Sequence, residues 1–469
     1  MPHDYRRRIF AVAGFFLATA AASVSAQESA VEQTVEEEAS EAIEESVDLT
    51  IEHLEVPEGE GIRVEGSPGP DRLESGESRS NYANTIPTAG GGGAKSVSAE
   101  LIAADTQKHP LWDIDWTHKH LARFYARKEQ LNSATGTSFS VDYTFLAQRA
   151  SYSVADKDAA SDAFRIYGHW LAFGDKVKTN GSLVFKYEHR AAIWGQQTPR
   201  DLGFDTGSAL STANYKENGW GWTDLYWKQI FNGGKTGFLV GHMDPGDWGD
   251  QHSLLNAWTN LLNDAFYNNP AEAIPKRTFS FVGRYLSNNS WYGGFGIHDA
   301  NGKDNHIDFR QVWDTPELFT WLEIGRRPDN YAGFGETTHL HYWHQDKRVA
   351  AGVSESWGLS ASRSRQHDNG YTTVIRVGYS EGDAAQMRQF VGLAVSKLIR
   401  IDDRILAGIG WGSPPDKNLR SQTVVEAMYH LQLTQNVVIS PDLQVTFNPS
   451  FNDTKSIVYV FGLRFRLTF

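Results

Sequence analysis

The chain of 469 residues contains no cysteine. It therefore has no disulfide, no thiolate metal ligand and no cysteine nucleophile. After residue 26, no apolar run reaches the roughly 18 residues that a transmembrane helix needs. The HExxH, GxSxG and P-loop motifs are also absent, and the GGGG run lacks the Lys-Ser/Thr of a phosphate loop. These absences exclude disulfide-stapled folds and helical membrane proteins, and they leave no recognisable catalytic signature.

Acidic charge is concentrated near the N-terminus. Residues 28–80 contain 17 acidic and 3 basic side chains, a net charge of −14, while the whole chain carries −13. Because the first 26 residues contribute +2, residues 81–469 carry only −1. A nearly neutral body offers little to a polyanion, so no nucleic-acid partner is expected.

The first 26 residues have the pattern of an export signal. Three arginines, Arg6 to Arg8, precede an apolar segment from Ile9 to Ala22, and Val24-Ser25-Ala26 is a small-residue cleavage site. The apolar segment is too short for a membrane anchor. The sequence therefore predicts a cleaved secretory signal peptide over residues 1–26.

Two further segments precede the main body. Residues 27–95 form an acidic, low-complexity leader that ends in the flexible GGGGAK tether. A solvated spacer and a short coiled coil are both compatible with it. Within residues 105–137, the stretch from His109 to Leu131 predicts a short amphipathic helix.

From residue 138 onward the sequence has the alternation of β-strands. The final stretch, SIVYVFGLRFRLTF, places Phe461, Leu463 and Phe465 on one face and Arg464 and Arg466 on the other. Sixteen such segments are predicted, at 138–148, 163–173, 181–191, 222–231, 236–243, 278–286, 290–298, 318–326, 336–344, 350–361, 371–380, 389–399, 403–411, 423–433, 438–447 and 457–469. We therefore predict an all-β fold over residues 138–469, a membrane-spanning antiparallel β-barrel of about 16 strands.

The lengths of the connections between these segments alternate along the chain. Short, turn-prone connections alternate with long ones, which include 192–221, 244–277 and 299–317. Short periplasmic turns and long external loops are typical of an outer-membrane barrel. Residues 244–277 are rich in apolar and aromatic side chains, which favours a loop folded into the lumen over a surface lid.

Several motifs resemble those of the carbohydrate-selective porin family, the OprB porins. They include Glu426 followed by Tyr429, the strand opening Pro441 to Gln444, and Asn448-Pro449. GHMDPGDW followed by AFYNNP resembles the family's central region, and GIHDANG at residues 296–302 resembles its hairpin. The resemblance covers roughly residues 105–469, and the acidic leader lies outside it.

The resemblance implies passive diffusion of monosaccharides and small oligosaccharides across the outer membrane of a Gram-negative bacterium. Sugars as permeating solutes, outer-membrane lipid and a homotrimer are the partners it implies. The leader adds a hypothetical contact with peptidoglycan or another periplasmic component. No cofactor and no catalytic residue is expected.

Candidate pore-lining residues follow from inward strand parity and from the predicted inward loop. A sugar channel needs groups for hydroxyls and rings for apolar sugar faces, arranged as several weak sites. The candidates are Arg190, Arg284, Arg376, Glu426, Glu188, Trp248, Trp258 and Arg464.

Other functions stay open at this point. A general or anion-preferring porin would share the fold, and an outer-membrane barrel enzyme or an envelope tether would use it differently. His339 and His341 lie on one face of a predicted strand while His344 lies on the other, so a metal site there is not favoured.

Overall fold

The computed structural model describes residues 93–174, 179–287, 290–304, 306–327 and 336–469, and of residues 115–119 it describes only the backbone. The predicted signal peptide and all but the last three residues of the predicted leader lie outside the described residues.

In the part of the chain that the structure describes, sixteen antiparallel strands close into one barrel, so the predicted fold class is confirmed. The strands are β1 Thr137–Ala150, β2 Asp158–Gly174, β3 Asn180–Ala192, β4 Gly219–Phe231, β5 Thr236–Met243, β6 Thr278–Leu286, β7 Trp291–Asp299, β8 Leu318–Arg326, β9 Thr337–Gln345, β10 Ser356–Gln366, β11 Tyr371–Glu381, β12 Gln389–Leu398, β13 Arg404–Ser413, β14 Gln422–Gln432, β15 Val437–Phe447 and β16 Ile457–Thr468. Each strand pairs with its sequence neighbours, and β1 pairs with β16 to close the barrel.

The two faces of the wall follow the alternation in the sequence. In the closing pair, Phe145 lies opposite Phe465 and Leu146 lies opposite Arg464. Directly opposite residues of an antiparallel pair share a face. Leu463 is 47% exposed on the outside, whereas Arg464 is fully buried on the inside.

Strand β10 begins later than predicted. The sequence pattern placed this strand at 350–361, but it spans Ser356–Gln366. Residues 346–355 instead form an external loop in which Arg348 and Val353 make an isolated bridge and Gly352 adopts φ 67°. A short bridged turn with apolar residues resembles a strand in sequence because both present alternating side chains.

Short helices complete the described structure. They are α1 Val97–Asp105, α2 Asp115–Thr135, α3 Pro199–Asp205, α4 Asp264–Tyr267 and α5 Gln311–Asp314, with 3₁₀ turns at Asn232–Gly234 and Pro245–Asp247. Helix α2 ends at Gly136, whose φ of 73° requires the left-handed conformation that glycine adopts readily. It lies within the predicted helical region and leads into β1. Among the described helices, none is long and apolar enough to cross a membrane.

The three longest connections between described strands leave the same end of the barrel. They are residues 193–218, 244–277 and 300–317, and we call the first two L2 and L3. Most connections at the opposite end, where the chain terminates, have four or five residues. This asymmetry identifies the external and periplasmic ends.

The lumen is filled to a large extent by protein. One buried apolar cluster joins L2 and L3 to the wall of β11–β14, for example Leu210 and Leu262 with Val424 and Met428. A second joins α1 and the start of L3 to the wall of β2–β9. Lumen-facing side chains are therefore buried by the inserted segments rather than lining an open tube.

Candidate functional site

L3 is attached to the β14–β16 wall by two charged side chains. The Glu426 carboxylate accepts hydrogen bonds from the backbone N–H groups of Leu262 (2.5 Å) and Asn263 (3.0 Å). Arg464 donates to the carbonyl oxygen of Ala257 at 2.6 Å. Glu426 and Arg464 are fully buried, so loop backbone groups instead of water satisfy the hydrogen-bonding capacity of their side chains.

A second set of contacts attaches L3 to β11 and β6. Arg376 on β11 donates to the carbonyl oxygens of Asn268 (2.7 Å) and Asp250 (2.8 Å). Arg284 on β6 donates to the carbonyl oxygen of Trp248. L3 thus bridges the lumen, as predicted from its apolar composition.

Asp250 is the most constrained residue of L3. It adopts φ 46°, which is unusual for a non-glycine residue. Its carboxylate accepts hydrogen bonds from Asn269 (2.6 Å) and Ser360 (3.2 Å) and contacts His339 Nε2 at 2.7 Å. Such a conformation persists only where surrounding contacts over-determine it.

L2 also folds inward, which the sequence reasoning did not predict. Thr212 Oγ1 donates to Gln148 Oε1 on the β1 wall at 2.8 Å. The backbone N–H of Ser211 donates to Asp264 of L3 at 3.2 Å. The two loops therefore contact each other and together narrow the lumen.

On the external side of L3 lies a cavity of about 370 Å³, which we call the vestibule. At about 30 Å³ per molecule it has room for roughly a dozen waters. Its charged lining residues have both signs. Lys95, Arg165, Lys186, Arg190, Arg200, Lys216, Lys276, Arg277 and Arg348 are basic, and Glu188, Asp244, Asp247, Asp264, Glu272 and Asp304 are acidic.

Lys216 and Asp304 form an ion pair at the rim of the vestibule, with Nζ and Oδ1 2.5 Å apart. Burial lowers the pKa of Lys216 to about 8, and the attraction of Asp304 only partly opposes this. Lys216 in turn holds the pKa of Asp304 below its ordinary value, against the effect of burial. The vestibule therefore contains a lysine that titrates slightly above neutral pH.

Comparison with known proteins gives a family for the C-terminal third of the chain. Residues 317–469 match the family described as carbohydrate-selective porin, OprB family. The resemblance predicted from the C-terminal motifs is confirmed, and it supports the predicted function, a carbohydrate porin of the Gram-negative outer membrane. No curated protein matches the sequence.

The chain is similar to solved porin structures. The high-pH structure of Pseudomonas putida OprB has a TM-score of 0.56 at 13% identity, covering 74% of this chain and 97% of that one. Its low-pH structure has a TM-score of 0.45 at 14% identity, with 78% and 100% covered. A mutant porin of Rh. blastica has a TM-score of 0.44 at 10% identity, with 71% and 100% covered. At 13% identity, the similarity to the first of these structures shows the barrel fold alone.

Three of the predicted pore-lining residues meet in the vestibule of this porin barrel. Glu188 and Arg190, neighbours on the inner face of β3, form an ion pair of 3.0 Å, and Glu188 also pairs with Arg277. The half-buried Trp258 lies against the guanidinium groups of Arg165 and Arg190, with ring centroids 4.0 and 4.9 Å from their Cζ atoms. Charged groups and an aromatic ring thus share one cavity wall.

The other five candidates do not line the vestibule. Arg284, Arg376, Glu426 and Arg464 make the loop contacts described above, and Trp248 is buried with its ring 5.6 Å from that of Tyr226. The polar side-chain atoms of the four charged residues hold L3 in place. Contact of these residues with sugar stays a prediction, and the structure supports a positioning role for them.

Several vestibule residues were missed because they lie on loops or before the barrel. Lys216 and Arg277 belong to L2 and L3, where strand parity gives no information about direction. Lys95 precedes α1, in a segment that the sequence reasoning treated as tether. The only local signal was Ser96, whose hydroxyl accepts a hydrogen bond from the N–H of Ala99 as an N-cap.

The three histidines of β9 divide as the alternation predicts. His339 and His341 face the lumen, and His344 is paired with Glu355 on the other side. His341 lies 3.1 Å from both Glu272 of L3 and Glu323 of β8. Within the described residues, no group of three or more His, Asp or Glu side chains has an arrangement suited to a metal ion. His339 and His341 instead bind L3 to the wall.

Proposed function

We propose that monosaccharides and small oligosaccharides cross this barrel passively through the vestibule, past a constriction formed by L2 and L3. The observation that carries the proposal is the meeting of Glu188, Arg190 and Trp258 in one cavity. The size range of the solutes and the residues that contact the sugar are proposed from the same cavity.

The chemistry of the vestibule fits a neutral, hydroxyl-rich solute. Each sugar hydroxyl both donates and accepts hydrogen bonds, so paired carboxylate and guanidinium groups such as Glu188 and Arg190 satisfy both functions. Trp258 offers an apolar surface to a sugar face. Because the charges are already paired with each other, each contact with solute is weak, which allows the solute to leave again.

Three further statements complete the proposal. The mature chain begins at Gln27 after cleavage of the signal peptide, three barrels associate as a homotrimer, and the acidic leader contacts the periplasmic envelope. These rest on the sequence patterns and on the family resemblance. Native mass spectrometry of the purified membrane protein would give both the mature N-terminus and the number of subunits.

Liposome swelling with a graded set of solutes tests the central claim. We expect swelling with monosaccharides, slower swelling with larger oligosaccharides, and slower swelling with anions of monosaccharide size. Equal rates for sugars and for anions of similar size would contradict the sugar-selective function and favour a general or anion-preferring porin.

A substitution of Trp258 tests the proposed contact. We expect Trp258→Ala to weaken the block of ion current by an oligosaccharide several-fold, because an apolar surface in the vestibule is removed. The matched control is Trp313→Ala, since Trp313 lies on the external loop 300–317 and is 78% exposed. An unchanged sugar block in Trp258→Ala, with the barrel folded, would remove Trp258 from the pathway.

A further inference from the structure

Helix α1 lies inside the barrel, between the periplasmic rim and L3. At its lower end, the backbone N–H of Lys108 donates to Gln435 Oε1 of a periplasmic turn at 3.0 Å. At its upper end, Asn256 of L3 donates to the carbonyl oxygen of Ala94 at 3.0 Å. The segment from Gly93 to Lys108 therefore spans the periplasmic part of the lumen.

The wall behind α1 carries apolar side chains that the helix covers. Val97 and Leu101 are almost completely buried in the cluster that contains the lumen-facing Tyr167, Val184 and Leu239. These three wall positions point away from lipid, and without a cover they would expose apolar surface to water, which is unfavourable. The apolar wall thus matches Val97 and Leu101 of α1.

α1 also brings one acidic residue into this part of the lumen. The carboxylate of Glu100 lies 3.0 Å from Arg165 Nη1 and 3.7 Å from Lys186 Nζ, and all three side chains are nearly fully buried. Arg165 and Lys186 both line the vestibule, as does Lys95. The charge of Glu100 therefore acts close to the proposed path of the solute.

Glu100 belongs to a network of ion pairs inside the barrel. Among the described residues, the ion pairs connected to it join four basic side chains to four acidic ones. They are Lys95, Arg165, Lys186 and Arg466, and Glu100, Asp142, Asp224 and Asp247. Without Glu100 the network has one negative charge fewer in a poorly solvated region, where a single charge acts strongly on passing ions.

We propose that Glu100, carried into the lumen by α1, determines the charge selectivity of the pore by neutralising Arg165 and Lys186. In this arrangement the barrel wall alone favours anions, and the inserted helix shifts the pore toward neutral solutes. The inference rests on the proposed passage of solute through the vestibule. It adds that a segment preceding the barrel sets the selectivity of the barrel.

The test is the reversal potential of single channels in planar bilayers under a KCl gradient. We expect Glu100→Gln to raise the chloride-to-potassium permeability ratio by about threefold or more, since one buried negative charge is removed. Glu100→Asp keeps the charge and is expected to keep the ratio near that of the wild type. Glu217→Gln, the same change at an exposed position of L2, is the matched control and is expected to have no effect.

A second variant, in the same network, is expected to change the chloride-to-potassium permeability ratio in the opposite direction. Lys95→Gln removes a partly exposed basic member and is expected to lower the chloride-to-potassium ratio, so it carries the test if Glu100→Gln does not fold. An unchanged ratio in a folded Glu100→Gln or in Lys95→Gln would overturn the proposal. Swelling with neutral sugars is a separate readout, so failure of the sugar-porin function would be seen independently of these ratios.

Discussion

Some buried charged side chains make structural ion pairs and also line the proposed path of the solute. Glu188 lines the vestibule and is also paired with Arg190 and Arg277, so it is held in one position while it faces the cavity. A charge that is fixed by its partners loses little conformational freedom when a solute arrives. The roles of single residues therefore depend on which partners the loops bring to them.

The titration of Lys216 gives a prediction at this scale. Its pKa of about 8 lies below the ordinary 10.5, so the ammonium group loses its proton as the pH rises from 7 to 9. We expect the pore to become less favourable to chloride over this range, because the vestibule loses one positive charge. Reversal potentials at pH 7 and pH 9 check this, with Lys216→Met showing a smaller pH dependence.

The same group affects stability with a definite sign. Between pH 8 and 10.5 the unfolded chain, whose lysine has its ordinary pKa, holds more protons at this position than the folded chain. The contribution of Lys216 to the free energy of unfolding therefore rises with pH across this window.

The selectivity prediction has a clear counter-outcome. If the reversal potential of Lys216→Met changes with pH as strongly as that of the wild type, another group causes the pH dependence of the selectivity.

At the scale of elements, L3 is held by several strands of the barrel wall. Glu426 and Arg464 hold the loop from β14 and β16, and Arg376 holds it from β11. Apolar residues of L3 also pack on the inner wall. A loop of 34 residues thus behaves as a fixed part of the lumen because charged and apolar contacts act together.

Removal of Glu426 tests this attachment. Glu426→Ala takes away the acceptor of two loop N–H groups, and a hydrogen bond contributes about 0.5–1.5 kcal/mol of net stability. We expect faster hydrogen exchange of the Leu262 and Asn263 amides and noisier single-channel currents, with the barrel intact because strand pairing uses backbone groups. Glu381→Ala, at an exposed position whose described contacts are with Tyr379 and Arg388, is the control. Unchanged protection of the two amides would show that Glu426 does not hold the loop.

At the scale of the whole molecule, the barrel is closed by its last residue as well as its last strand. The N–H of Phe469 donates to the carbonyl oxygen of Val141 at 2.8 Å, and the N–H of Val141 donates to that of Phe469 at 3.0 Å. The Phe469 ring also lies edge-to-face with Phe124 of α2, with centroids 6.3 Å apart. The C-terminus therefore joins β16 to β1 and to the helix below it.

Truncation of this ring is expected to weaken closure. Phe469→Ala keeps the backbone hydrogen bonds but loses the contact with Phe124, and such aromatic pairs contribute about 1 kcal/mol beyond the area they bury. We expect a smaller fraction of folded, heat-modifiable barrel in SDS gels at intermediate temperatures. Phe451→Ala is the matched control because Phe451 is 60% exposed on an external loop. Equal melting of the two variants would show that the terminal ring has no part in closure.

The strands could be predicted because their information is local. Alternation is set by the opposite environments of the two faces, and it can be read in a single segment such as Ile457–Thr468. This pattern and the composition also predict the number of strands, the alternation of short and long connections, and the inward course of L3. The predicted start of β10 was wrong because a bridged turn has the same local pattern as a strand.

The sequence by itself therefore determined the barrel, the two faces of its wall and the resemblance to the carbohydrate-selective porins. Only the tertiary structure decided that Glu188, Arg190 and Trp258 meet in one vestibule while Arg284, Arg376, Glu426 and Arg464 hold L3. It alone placed α1 in the lumen and Glu100 beside Arg165, 65 residues away in sequence. The physical reason is that alternation reports only whether a side chain faces inward, whereas its partner depends on how distant segments fill the space that the wall encloses.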